Sequence, residues 1–166
     1  MTAAHMAVLF PAARLTAVEM DGGNAELCRV NLARWSARCE VVQAAVWPTD
    51  GEVEYEWSAR DEQSFRAQAA GTAYDAAMRR APAIALNTLL EREGPGAEVD
   101  FLKMDIEGAE QRVLGEHVEW AQRVRRIVVE VHEPYDVERC RRDLDALGFR
   151  TAIDDRHWAA VVGVRD

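Results

Sequence analysis

Acidic side chains and one histidine occupy positions where the sequence predicts that β-strands end. Glu19 follows a short apolar run near the N-terminus, and His132 follows another in the C-terminal third. Between them, Asp105 and Glu107 enter a tight, glycine-containing turn after a further apolar run. The carboxyl ends of parallel strands meet at one edge of a sheet, where α/β proteins bind ligands. Carboxylates at that edge could accept hydrogen bonds from ribose hydroxyls, take up a proton, coordinate a divalent ion or face a cationic ligand.

Each of these side chains also has a purely structural interpretation. His132 could act as a general base, because an unperturbed imidazole titrates near neutral pH, or it could be a hydrogen-bonded residue at the rim of the sheet. Lys103 is the one lysine among 20 basic residues and lies two positions before Asp105, so both side chains share a face of the strand. Lys103 and Asp105 either belong to a functional site or form a purely structural ion pair. Glu107 and Glu110 could simply complement the N-terminus of the next helix.

Alternating strands and helices are predicted to position these groups. Continuous apolar runs predict strands at 15–18, 41–46, 99–104 and 126–131. Apolar residues at helical spacing follow most of these runs, and those at 137–147 form the clearest pattern. This alternation predicts an α/β fold with a mainly parallel sheet and helices on both faces.

The middle and the C-terminal end of the chain predict further strands and one helical turn. Two β-prone segments, 149–153 and 158–164, predict a C-terminal antiparallel hairpin. Residues 52–57 predict a strand, and residues 83–91 predict a short strand that passes into a helical turn. The stretch up to Arg80 has no interpretable pattern, so a substrate pocket formed there cannot be characterised from its residues.

Composition limits the class of protein. The chain has 166 residues, 49% of them hydrophobic, which suits one soluble globular domain. It contains no run of about 20 apolar residues for a membrane span and no basic opening of a secretory signal, so we expect a cytoplasmic location. A net charge of −9 argues against binding to nucleic acid or anionic lipid and favours small ligands. Three cysteines without a CxxC pair indicate reduced thiols rather than a disulfide framework or zinc ribbon.

The most specific motif reads Val99-Asp-Phe-Leu-Lys-Met-Asp-Ile-Glu-Gly-Ala-Glu-Gln-Arg-Val-Leu114. It resembles the signature of the FkbM family of S-adenosylmethionine-dependent methyltransferases. Further segments agree with that family in order and spacing: Ala17–Glu19 with Asn31, Ala83–Leu90, and Val128–His132.

The resemblance implies a Rossmann-like class I methyltransferase fold, a mostly parallel seven-stranded sheet with one antiparallel strand. It also implies methyl transfer from S-adenosylmethionine to a small-molecule acceptor, usually at a hydroxyl oxygen. On this basis Glu19 would hold the ribose hydroxyls, Ala44 and Ala45 would lie along the adenine, and Asp105 would lie near the methionine moiety or the acceptor. No metal ligand is assigned, and whether a divalent ion assists stays open, because the carboxylates are compatible with one without requiring it. The candidate catalytic residues implied at the strand ends are Asp105, Glu107 and His132.

One part of the family pattern is absent from the sequence. Family members begin with a strand and a glycine-rich turn, whereas this chain opens at Met1–Phe10, which aligns with the helix after that turn. We therefore expect a single, N-terminally truncated methyltransferase-like domain whose first, central strand is missing. A late gene start, a lineage without catalysis and a strand donated by a partner chain all remain open. The alternatives to a methyltransferase are a non-catalytic binding module and a metal-dependent hydrolase that uses the candidate catalytic residues. The acceptor and the oligomeric state cannot be read from the sequence.

Overall fold

The computed structural model describes residues 2–56, 67–69, 78–155 and 157–165. Within them the α-helices are α1 (Ala3–Leu9), α2 (Gly22–Leu32), α3 (Leu86–Arg92), α4 (Glu110–Gly115) and α5 (Val137–Ala146). Short 3₁₀ helices span Ala33–Trp35 and Val118–Arg123. The strands are β1 (Leu15–Glu19), β2 (Cys39–Gln43), β3 (Ala45–Val46), β4 (Gly51–Glu56), β5 (Ala67–Ala69), β6 (Met78–Ile84), β7 (Leu102–Met104), β8 (Arg126–Glu130), β9 (Arg150–Ile153) and β10 (Ala160–Val164). None of the described helices combines the length and apolar character that crossing a membrane requires.

The chain forms two compact units, Met1–Ala45 and Val46–Asp166. In the first unit β1 pairs in parallel with β2, and Glu19 lies opposite Gln43 at the carboxyl ends. The crossover between them is α2, as parallel pairing requires. The side chain of Asp21 caps this helix by accepting a hydrogen bond from the N–H of Asn24 at 2.9 Å. The predicted strand at 15–18 and a helix after it are therefore confirmed.

The predicted strand at 41–46 is divided. β2 ends at Gln43, and Ala44 leaves the ladder before β3 begins. β2 pairs with β1, whereas β3 belongs to the sheet that contains β4, β5 and β6. An apolar run does not indicate where one strand ends and the next begins. The sequence pattern therefore predicted β2 and β3 as a single strand.

In the second unit, four strands form a sheet in the order β7–β8–β10–β9. β7 runs parallel to β8, and β10 is antiparallel to both of its neighbours, which confirms the predicted C-terminal hairpin. Ile127 and Val129 of β8 are fully buried, as are Cys140 and Leu144 of α5. The apolar spacing that predicted this helix therefore marks a core-facing surface.

The prediction of a mainly parallel sheet requires correction. A further sheet, in the order β3–β6–β4–β5, contains antiparallel pairs of β4 with β5 and with β6. The strand itself was predicted, because Val53 and Tyr55 alternate with glutamates; Val53, Tyr55 and also Glu54 are buried, and Glu54 pairs with Arg80 at 3.0 Å. Trp57, predicted to end this strand, lies outside the described residues. The α/β class is confirmed, whereas a single Rossmann-like sheet without its first strand stays a prediction.

Two elements near the signature motif are short. β7 covers only Leu102–Met104 of the predicted strand, and Val99 contributes an isolated bridge to Val124. α4 ends at Gly115, because Glu116 is extended, with φ of −128° and ψ of 136°, and His117 after it is left-handed, with φ of 51°.

Candidate active site

A tight turn after β7 presents the acidic residues of the signature motif. Glu107 and Gly108 both have positive φ, 52° and 100°. Glycine adopts this conformation freely, whereas a glutamate there is uncommon. α4 consequently starts at Glu110, with Ala109 at its N-cap. The sequence-based placement of Glu107 at the start of this helix was therefore wrong, since two successive left-handed residues interrupt the right-handed path.

Lys103 links the acidic groups at the ends of β7 and β8. Its Nζ lies 2.6 Å from Asp105 Oδ2 and 3.4 Å from Glu130 Oε2. Lys103 is opposite Val128 in the parallel register, so Glu130, two positions later, projects from the same face. The predicted contact between Lys103 and Asp105 is confirmed. Burial alone would raise the pKa of Asp105, but the hydrogen bond and charge of Lys103 outweigh it and hold that pKa below its ordinary value.

Glu110 is fully buried behind His132. Its Oε1 lies 2.8 Å from His132 Nδ1, and the N–H of Gly108 donates to the same oxygen at 3.1 Å. The other oxygen, Oε2, is buried and has no hydrogen-bond partner in the described structure. Burying a carboxylate is unfavourable unless it is well partnered, so this position is unusual for glutamate.

The sequence interpretation missed Glu110 as a functional residue and treated it only as a helix-end charge. A signal was available: Glu110 lies three and four positions before Val113 and Leu114, both of which are buried. Helical spacing therefore places its carboxyl group on the apolar side of α4.

The second ring nitrogen of His132 faces the two acidic residues of the turn. Nε2 lies 3.7 Å from Asp105 Oδ1 and 3.6 Å from Glu107 Oε2. The three predicted catalytic side chains are thus brought together. Burial lowers the pKa of His132, but the hydrogen bond and negative charge of Glu110, with the charges of Glu107 and Asp105, raise it above its ordinary value overall. Burial also raises the pKa of Glu107; His132 opposes this increase, and the neighbouring carboxylates add to it.

The loop of the C-terminal hairpin borders this cluster. His157 Nε2 lies 3.7 Å from Glu130 Oε1, and the adjacent Trp158 is 84% exposed. The sequence predicted the hairpin but assigned no functional residue to its loop.

In the first unit, Glu19 lies at the carboxyl end of β1. Its Oε1 accepts a hydrogen bond from the N–H of Asp21 at 2.8 Å, and its backbone oxygen accepts one from the N–H of Ala44 at 3.0 Å. Burial raises the pKa of Glu19, partly offset by the Asp21 hydrogen bond. Ala44 and Ala45 are both buried. The structure thus places Glu19 beside Ala44, while the binding roles of all three residues remain predictions.

Comparison with known proteins identifies the family to which these residues belong. A family model described as the methyltransferase FkbM domain matches residues 3–151. The chain is a member of the FkbM methyltransferase family. The FkbM match includes the turn after β7 and His132, and it confirms the resemblance seen in the signature motif. No curated protein and no solved structure matches the chain significantly.

The acidic cluster of this FkbM domain also has the spacing of a possible metal site. Asp105, Glu107 and His132 each offer one ligand atom, and these atoms lie within 4.8 Å of one another. However, Asp105 already pairs with the ammonium of Lys103 through its other oxygen. The described geometry is compatible with proton acceptance at His132 Nε2 and with a divalent ion, so the assignment of no metal ligand stays a prediction.

Proposed function

We propose that the protein is an S-adenosylmethionine-dependent O-methyltransferase that acts on a hydroxyl group of a sugar or another small metabolite. The observation that carries this proposal is the environment of His132 within a methyltransferase domain. One ring nitrogen contacts a buried carboxylate, and the other faces Asp105 and Glu107 beyond the ends of β7 and β8. A histidine held in this way suits the removal of a proton from an acceptor hydroxyl.

The residues of the first unit fit the donor that this family implies. The half-buried carboxylate of Glu19 is fixed by the N–H of Asp21, and carboxylates at strand ends accept hydrogen bonds from ribose hydroxyls. Ala44 and Ala45 are small, apolar and buried, and such side chains suit contact with a flat adenine ring. We therefore propose that Glu19 holds the ribose and that the two alanines lie along the adenine.

The proposed reaction requires few groups from the protein. The bound donor supplies an electrophilic methyl group on a positively charged sulfur. His132 Nε2 takes the hydroxyl proton as the acceptor oxygen bonds to the methyl carbon and the carbon–sulfur bond breaks toward sulfur. Glu110 stabilises the imidazolium through Nδ1, and the negative charges of Asp105 and Glu107 favour the same protonated form. Lys103 keeps Asp105 in place.

Mass spectrometry of acceptors tests the proposal directly. Purified protein is incubated with S-adenosylmethionine and a panel of monosaccharides, glycosides and other hydroxylated metabolites. Both the 166-residue chain and the product of a reading frame extended upstream of Met1 are assayed. We expect one acceptor class to gain a methyl group on oxygen. Donor binding by either form without methylation of any acceptor would favour the rival proposal of a non-catalytic binding module.

Removal of divalent metals is expected to leave methyl transfer within about twofold of its starting rate. The reason is that Lys103 already supplies a cation beside Asp105, and proton removal is assigned to an unligated His132 Nε2. The measurement compares initial rates before and after dialysis against EDTA. Loss of activity that added Mg²⁺ or Mn²⁺ restores would instead identify the acidic cluster as a metal site.

A further inference from the structure

The burial of Glu110 requires an explanation beyond helix capping. Its side chain is 0% exposed, and Oε2 is unpartnered within the described structure. Taking a carboxylate out of water is unfavourable by several kcal/mol unless its partners compensate. An apolar side chain of similar volume would fill the same space at lower cost, and the N–H of Gly108 lies in an exposed turn where water could serve it. The feature that an apolar side chain could not reproduce is the contact with His132.

The geometry of Glu110 also determines which nitrogen of His132 carries the proton. Oε1 accepts a hydrogen bond from the N–H of Gly108, so this oxygen acts as an acceptor. A carboxylate has no proton to donate, so His132 Nδ1, 2.8 Å from the same oxygen, is the donor. In the neutral imidazole this leaves the lone pair on Nε2, the nitrogen that faces Asp105 and Glu107.

We propose that Glu110 is the positioning residue of His132: it holds the Nδ1–H tautomer and directs the lone pair of Nε2 toward the acceptor. This inference rests on the proposed function, in which His132 accepts the hydroxyl proton. The charged groups that face the imidazole are Glu110 from α4 and Asp105 and Glu107 from the turn. Lys103 lies one contact further away, through Asp105, and Glu130 lies two contacts away, through Lys103.

The first test uses NMR of the protein labelled with ¹⁵N-histidine and needs no methyl transfer. The His132 signals are assigned by their absence from the spectrum of His132→Gln. In wild type we expect the neutral ring to carry its proton on Nδ1. A proton on Nε2 in wild type would overturn the proposal, whether or not any Glu110 variant folds.

Variants of Glu110 extend the NMR test. In Glu110→Gln the preference for the Nδ1–H tautomer should be lost, because the amide can donate to Nδ1. The pKa of His132 should fall, because the carboxylate charge and its hydrogen bond favour the imidazolium. Glu116→Gln is the matched control at the C-cap of α4, since Glu116 is exposed and pairs only loosely with Arg112 at 3.8 Å. An unchanged tautomer in Glu110→Gln would contradict the proposed role.

Kinetics supply the second readout. We expect Glu110→Gln to lower kcat at least about tenfold with little change in the KM of the acceptor, as for other carboxylates that orient a functional histidine. Glu110→Asp, which keeps the charge, should recover part of the loss, and Glu116→Gln should remain within twofold of wild type. Equal losses in Glu110→Gln and Glu110→Asp would indicate a packing role instead. If wild type transfers no methyl group yet shows the Nδ1–H tautomer, the proposed function fails while the positioning contact stands.

Discussion

Replacement of His132 by Gln is expected to lower kcat for methyl transfer by roughly 10²- to 10⁴-fold, the usual contribution of a positioned proton acceptor. Glutamine occupies a similar volume and can hydrogen-bond, but it cannot hold a proton near neutral pH. His132 retains partial exposure at the edge of the sheet, so the substitution should leave the fold intact. Rates are measured at saturating donor and acceptor, so that the effect falls on kcat rather than on binding.

The pH dependence of kcat also tests the role of His132. His132 must be neutral to take the proton, so kcat of wild type should rise with pH through the pKa of this residue. Burial lowers that pKa, but Glu110 and the other carboxylates outweigh it, and the rise should therefore lie above the ordinary histidine range. His132→Gln should lack the rise.

His117→Gln is the control for this experiment, because His117 is exposed at the far end of α4 from the turn. We expect it to retain wild-type kcat within about twofold, as surface substitutions usually do. If His132→Gln retains wild-type kcat, His132 does not accept the proton. Alignment of donor and acceptor would then be the main catalytic contribution.

Substitution of Glu19 by Ala should weaken binding of S-adenosylmethionine by roughly 10- to 150-fold. This range corresponds to the loss of about 1.5–3 kcal/mol for one hydrogen bond to a charged group. The carboxylate of Glu19 is already fixed by the N–H of Asp21, so little ordering is needed when ribose hydroxyls bind it. Titration calorimetry with the donor and with S-adenosylhomocysteine measures the change.

Glu26→Ala provides the matched control in the same unit. Glu26 is exposed on α2 and pairs with Arg29 at 3.3 Å. Its substitution should leave donor affinity unchanged. Equal affinity in Glu19→Ala and wild type would exclude Glu19 from the donor site, whereas the acceptor assays would still test methyl transfer independently.

Elements with strong local periodicity were predicted well. α5 and the C-terminal hairpin follow patterns of spacing that short-range geometry imposes, and both occur where expected. The start of α4 was mispredicted because Glu107 adopts a positive φ, a conformation that residue type alone does not indicate. The antiparallel sheet around β4 was also missed: alternation predicts that β4 is a strand, but it does not indicate which strands pair with it.

The family and part of the site could be determined from the sequence by itself. The signature motif is contiguous, and the contact of Lys103 with Asp105 follows from the two-residue repeat of a strand. Only the tertiary structure decided that Glu110 is buried against His132, 22 positions away, and that both lie beside Glu107. The physical reason is that spacing along one element places neighbours on a common face, whereas contact between the start of α4 and the end of β8 depends on how helix and sheet pack.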